Sequence, residues 1–118
     1  MEDWPPRLLR EEELQKTETH LERQSGDVEA RFRRCCLLAE LGRKEEARDA
    51  YLELLKLVPT HLGALIQFGN LVYSMGFKSA AITLYSRAIE LYPDEADPHV
   101  NLANLLAENQ IDEARRHY

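Results

Sequence analysis

The side chains of this 118-residue chain best suited to hold another molecule are amides. Asn70 and Asn104 stand 34 residues apart, with Gln67 and Asn101 beside them. An amide offers N–H donors and a carbonyl acceptor. A row of them can therefore bond the backbone of an extended peptide whatever its sequence. The other reactive side chains form no constellation. His20, His61, His99 and His117 are spread one per segment, and none stands beside a cysteine or serine in a nucleophile motif. Cys35 and Cys36 are adjacent. Neighbours on a helix point about 100° apart, so a disulfide between them would be strained. No CxxC and no Cys/His zinc spacing occurs, which leaves one packed and one partly exposed thiol in a reducing compartment. No glycine-rich phosphate loop is present. The runs Glu11-Glu12-Glu13 and Glu45-Glu46 read as solvated helix faces rather than acid–base pairs. The expectation is a chain without catalytic residues, metal or cofactor, one that binds rather than reacts.

Composition narrows the kind of guest. Hydrophobic residues make up 44%, enough for a core, and charged residues 31%, above the roughly 25% of average domains. That surplus suits exposed helices carrying opposite charges in pairs. The net charge of −6 argues against nucleic acid, which needs a basic face to displace counterions. Arg31, Arg33 and Arg34 are a local exception: a solvated face, or a docking site for an acidic partner. The longest stretch without Asp, Glu, Lys, Arg or His, 62–77, has sixteen residues and contains Gln67, Asn70 and glycines. It is shorter than the ~20 apolar residues of a membrane span. The first residues lack the basic and apolar regions of a secretory signal. A cytoplasmic protein without membrane contact is expected.

Sliding the sequence over itself reveals the elements that carry these residues. At an offset of 34, Leu38 meets Val72 and Leu106, Gly42 meets Gly76, Ala47 meets Ala81, Tyr51 meets Tyr85, Leu57 meets Leu91, and Pro59 meets Pro93. Each unit reads as two helices. In the middle unit, 62–75 carries Leu65, Phe68, Leu71 and Val72 at helical spacing. Gly76 then takes the slot of a left-handed helix end. The partner helix, 78–91, aligns Ala81, Leu84, Tyr85, Ala88 and Ile89, and Pro93 lies just beyond it. The first unit repeats the design over 28–41 and 44–58, with Asp27 as N-cap. The third opens with carboxylates and Pro98, which suit a helix start, and is expected as helices over 96–109 and 111–118. Its register slips by one, since Ala81 to Ala114 and Tyr85 to Tyr118 are both 33. The missing residue lies where the glycines stand, so Asn109, tolerant of the left-handed region, is expected to end the helix. Residues 6–24 fit a further helix with Leu14, Thr17 and Leu21 on one stripe and Leu8 and Leu9 off it, covering the first unit. The alternative is a frayed arm.

These residues resemble the tetratricopeptide repeat family. The middle unit matches best, through Leu65, Phe68-Gly69, Val72, Gly76, Ala81, Tyr85, Ala88 and Pro93. The first matches through Gly42, Ala47, Tyr51, Leu54 and Pro59, with Arg34 and Cys35 replacing the usual Leu-Gly. The third matches through Leu102-Ala103, Leu106, Ala114 and Tyr118. The resemblance covers 28–118 and implies an all-α fold: an α-α superhelix, a right-handed solenoid of helix-turn-helix repeats. Domain organisation follows as an N-terminal helical segment (1–26), repeats at 27–61 and 62–95, and a truncated repeat at 96–118, one repeat domain overall. Small residues at Ala47, Gly69 and Ala81 let helices approach, Tyr51 and Tyr85 fill the space between one unit and the next, and each helix pair leaves an apolar face that the next must cover.

The family implies that the first helix of each unit lines a concave, peptide-binding groove. Carried over position by position, its ligand-facing slots hold Phe32, Ile66 and Val100, then Cys36, Asn70 and Asn104, then Ala39, Tyr73 and Ala107 flanked by Glu40, Ser74 and Glu108, with Gln67 and Asn101 alongside. The run Asn101-Leu102-Ala103-Asn104 resembles repeats of the O-linked N-acetylglucosamine transferase type. The family's chaperone-binding clamp is absent: Phe32, Cys36 and Asp97 stand where it wants Lys, Asn and Lys, and Asp97 would repel a carboxylate. The bland alternatives are that the amides are solvated or cap neighbouring turns, and that Phe32, Ile66 and Val100 pack between helices. The expected function is a scaffold binding a protein or peptide segment. The chain stops inside its last helix, leaving Leu102, Leu105, Leu106, Ile111, Ala114 and Tyr118 uncapped. This suggests continuation beyond Tyr118 or self-association through that end. An oligomerisation module, or the regulatory front part of a larger enzyme such as a glycosyltransferase or sulfotransferase, are the alternatives.

Overall fold

The structure is a computed structural model that describes residues 6–117; within the last helix the side chains of Asn109, Asp112, Glu113, Ala114, Arg116 and His117 lie outside the description. Six helices follow one another among the described residues: α1 (Pro6–Arg23), α2 (Val28–Glu40), α3 (Lys44–Leu57), α4 (Leu62–Ser74), α5 (Lys78–Leu91) and α6 (Ala96–His117). The fold is an all-α helical repeat. The chain divides into two compact units, one ending at Ala64 and the other starting at Leu65, so that α4 begins in the first and continues in the second.

Local sequence sets the helix limits. The Asp27 carboxylate accepts a hydrogen bond from the Ala30 amide at 3.1 Å and caps α2, satisfying a first-turn donor that the helix itself cannot. Both α2 and α4 end in the same way. Gly42 and Gly76 take positive φ values of 79° and 93°, where a Cβ would be strained. After α2, the Gly42 amide donates to Ala39 (3.0 Å) and the Arg43 amide to Leu38 (2.9 Å). After α4, Gly76 donates to Tyr73 (3.0 Å) and Phe77 to Val72 (2.9 Å). These paired bonds use up the last carbonyls of each helix. Pro59 and Pro93 follow α3 and α5, where a residue without an amide hydrogen costs nothing.

In the first unit α2 packs on α3, and α1 packs on α2. Cys35 and Leu38 from α2 and Ala47, Tyr51 and Leu54 from α3 are almost wholly withdrawn from water. Each large apolar side chain so buried contributes about 1.5–3 kcal/mol. From α1, Leu14 and Thr17 are buried while Leu8 and Leu9 stay exposed, matching the expected stripe. In the second unit α5 packs on α6, and Ala81, Tyr85, Ala88, Pro98 and Leu105 are buried.

The third unit departs from expectation. Residues 96–117 form one continuous helix, not the two expected over 96–109 and 111–118. The glycine that stops α2 and α4 has no counterpart in Glu108-Asn109-Gln110, and no non-glycine residue described has positive φ. Without such a stop, each further residue adds a hydrogen bond at little cost. The apolar face foreseen here is also narrower. Leu105 is buried and Leu102 half-buried, leaving Leu106 and Ile111 exposed. The Ala114 side chain and Tyr118 lie outside the described residues.

Candidate functional site

The residues expected to line a groove fall into separate groups. In the second unit, Asn70 and Tyr73 of α4, Tyr85 of α5, and Asn101, Asn104, Leu105 and Glu108 of α6 surround one open recess of about 150 Å³. Asn70 is its hub. The buried Tyr85 hydroxyl donates to Asn70 Oδ1, and Asn101 Nδ2 donates to the same oxygen at 3.2 Å. Two donors use both lone pairs of that carbonyl. The Asn70 amide group in turn donates to Gln67 Oε1 at 3.4 Å. Asn70 therefore keeps only N–H for a guest, whereas the Asn101 carbonyl and the whole Asn104 amide have no partner among the described residues. Burial pushes the Tyr85 phenol above its usual pKa, so it stays protonated and donating.

That junction exists because Gly69 lacks a side chain. A Cβ there would lie 2.5 Å from Tyr85 Cε1 and 2.9 Å from Cδ1. The first unit contains the matching contact: Cys36 Sγ lies 3.6 Å from the Tyr51 hydroxyl. Both pairs are fifteen residues apart, one 34 residues after the other. This spacing was the available signal that Tyr85 belongs to the site. Sequence alone read Tyr85 as filler between units and Leu105 as uncovered surface.

The other expected positions are placed differently. Ile66 is 8% exposed, too buried to meet a guest. α4 is apolar almost all round, with Leu65, Phe68, Leu71 and Val72 buried as well, and such a helix is covered on most sides. Val100 is exposed (54%) but is not among the residues lining the recess. Phe32 and Cys36 belong to the first unit, where they share a separate, wider recess of about 480 Å³ with Asp27, Glu29, Ala30 and Arg33. The Phe32 ring lies 4.8 Å from that of His61 and covers Gly63, so packing occupies much of it.

Several other polar side chains are engaged locally. His61 Nδ1 accepts from the Ala64 amide at 3.0 Å, acting as the cap of α4. His20 meets Asp27 at 2.8 Å, and His99 meets the Pro93 carbonyl at 3.0 Å. The His117 side chain lies outside the described residues. The Cys35 thiol is pushed up to about 12, chiefly by burial, and burial also raises Cys36. A thiol so raised holds little thiolate at neutral pH. Of the three arginines on α2, Arg33 pairs with Glu13 at 2.6 Å and Arg34 with Glu18 at 3.0 Å. Arg31 donates to the Ser25 carbonyl. For Arg33 and Arg34 the acidic partner is thus α1 itself. Among the described residues no group of three or more His, Cys, Asp or Glu could hold a metal ion, and no helix is long and apolar enough to cross a membrane.

Comparison with known proteins agrees with this architecture. A tetratricopeptide repeat model matches residues 28–61, and a TPR repeat model matches residues 69–110. The crystal structure of a tetratricopeptide repeat protein from Parabacteroides merdae superposes with a TM-score of 0.79 at 24% identity, over 91% of this chain. This chain spans 42% of that structure's length. No curated protein matches significantly.

Proposed function

We propose that this chain, which belongs to the tetratricopeptide repeat family, holds an extended segment of a partner polypeptide in the amide-lined recess of its second unit. Repeats of this family generally mediate protein–protein interaction. The observation that carries the finer reading is the unequal use of the amides. Asn70 is locked by Tyr85 and Asn101, while Asn104 and the Asn101 carbonyl line an open recess with no partner among the described residues. Unpaired donors and acceptors held on rigid helices can bond a peptide backbone without first breaking internal bonds. The role is one of holding, without catalysis, cofactor or nucleic acid. The free thiols of Cys35 and Cys36 suit the cytoplasm.

Asn70→Ala is a poor probe of this reading, because it also strips Tyr85 of its acceptor. Asn104→Ala removes only groups that bond nothing among the described residues. Peptides selected from a displayed random library on the wild-type chain are expected to bind Asn104→Ala about three- to tenfold more weakly, as expected from the ~0.5–1.5 kcal/mol of a lost hydrogen bond. Equal binding to both proteins would refute the site. Self-association is a second reading, supported by exposed Leu106 (44%) and Ile111 (53%) on α6. Sedimentation at rising concentration separates the two, since Asn104→Ala should leave the mass unchanged.

A further inference from the structure

We infer that the recess of the second unit selects a basic side chain of the bound segment, arginine above all. This rests on the reading of that recess as the binding site, and adds what the site distinguishes. Glu108 lines the recess, is exposed, and has no ion-pair partner among the described residues. Among the described residues no Lys, Arg or His lines the recess with it. The free acceptors nearby are the carbonyls of Asn101 and Asn104, since that of Asn70 is already filled by two donors. The remaining lining is apolar or aromatic: buried Leu105 and half-buried Tyr73.

Each class of guest side chain fares differently there. A carboxylate would meet Glu108 with no cation to offset it. An apolar side chain would take water from the carboxylate and the amides and return no hydrogen bond. A guanidinium brings five N–H donors in a planar fork and no acceptor. It can reach the carboxylate and the amide carbonyls together, with its methylene stem along Leu105 and Tyr73. A net charge of −6 favours the approach of a basic segment.

The first unit supplies an internal precedent. Two repeat lengths of 34 before Glu108 stands Glu40. Its carboxylate is held by Arg10 of α1 at 2.9 Å. Where the fold provides an arginine for this carboxylate position, the pair forms; Glu108 has none among the described residues.

The test uses blocked pentapeptides with glycine around a central arginine, citrulline or glutamate. Citrulline keeps the shape and loses the charge. Binding is followed by the NMR signals of the side-chain amides on wild type and Glu108→Gln. The arginine peptide is expected to bind wild type about three- to fivefold more tightly than the citrulline peptide, the range of a favourable exposed ion pair. In Glu108→Gln that ratio should fall to one. Equal affinities on wild type, tighter binding of the glutamate peptide, or a ratio that survives Glu108→Gln would each overturn the inference. Those results would leave the binding site standing, because it is judged separately by Asn104→Ala. Absence of binding by the arginine peptide would also overturn it.

Discussion

A methyl group on Gly69 would lie 2.5 Å from Tyr85 Cε1, and that one dimension links packing to function. Tyr85 is held against α4, its hydroxyl reaches Asn70, and the Asn70 carbonyl is thereby taken. Replacing a helical glycine by alanine normally stabilises by about 1 kcal/mol. Here overlap with ring atoms, costing about 1–3 kcal/mol, should match or exceed that gain. Gly69→Ala is therefore expected to leave the urea midpoint unchanged or lowered, and the added Tyr85→Leu should relieve part of the effect. A stabilised Gly69→Ala would show that the contact is slack. Asn70→Ala should cost about 1 kcal/mol through the lost acceptor, whereas Asn104→Ala should stay within about 0.5 kcal/mol of wild type. At the cap of α2, hydrogen bonding from His20 and then from the Ala30 amide lowers the Asp27 pKa below its ordinary 3.8. A carboxyl lowered by folding contributes stability above its unfolded value, and loses it as pH falls through the folded value. Stability should thus decline on acidification below about pH 4, and Asp27→Asn, still a competent cap, should flatten that decline. Residue identity made the amides visible in sequence. It could not show which of them were spent, because this depends on a tyrosine from another helix.

Among the elements, α1 shows which force holds a helix in place. It lies on α2 through buried Leu14 and Thr17, and is flanked by the pairs Arg10–Glu40, Arg33–Glu13 and Arg34–Glu18. These pairs are at least 30% exposed at each side chain, where a pair contributes about 0–1 kcal/mol. Loss of a buried leucine side chain costs about 2–5 kcal/mol. Leu14→Ala should accordingly destabilise the first unit several times more than Glu13→Gln or Glu18→Gln, as read by chemical denaturation. A reversed order would make α1 an electrostatically held element. The helix pattern was largely legible: the period of Leu14 and Thr17, the Asp27 cap, and the glycine stops at Gly42 and Gly76 all lie in local sequence. α6 was misread because the repeat offset was carried past the point where its stop signal disappears. Asn109 tolerates a left-handed turn, but tolerance does not impose one. Ile66 is buried, in keeping with the packing alternative for its stripe, and a helix with apolar residues on most sides has no single stripe to orient it.

At the scale of the whole molecule, two compact units carry a net charge of −6, and Asn70, Asn101 and Asn104 line one recess in the second. The 34-residue repeat was enough to read the helical-repeat architecture, because Gly, Ala, Tyr and Pro recur in one order. It placed Asn70, Asn101, Asn104 and Glu108 along one groove, but could not supply the bond from Tyr85 to Asn70, which depends on how the helices meet. The central claim is that this grouping receives a peptide. Its most direct test is to titrate the isotope-labelled chain with a library-selected peptide and follow the side-chain amide signals of Asn101 and Asn104. Both should move with one common affinity, and Asn104→Ala should weaken that affinity about three- to tenfold. Binding that leaves both signals in place would contradict the account.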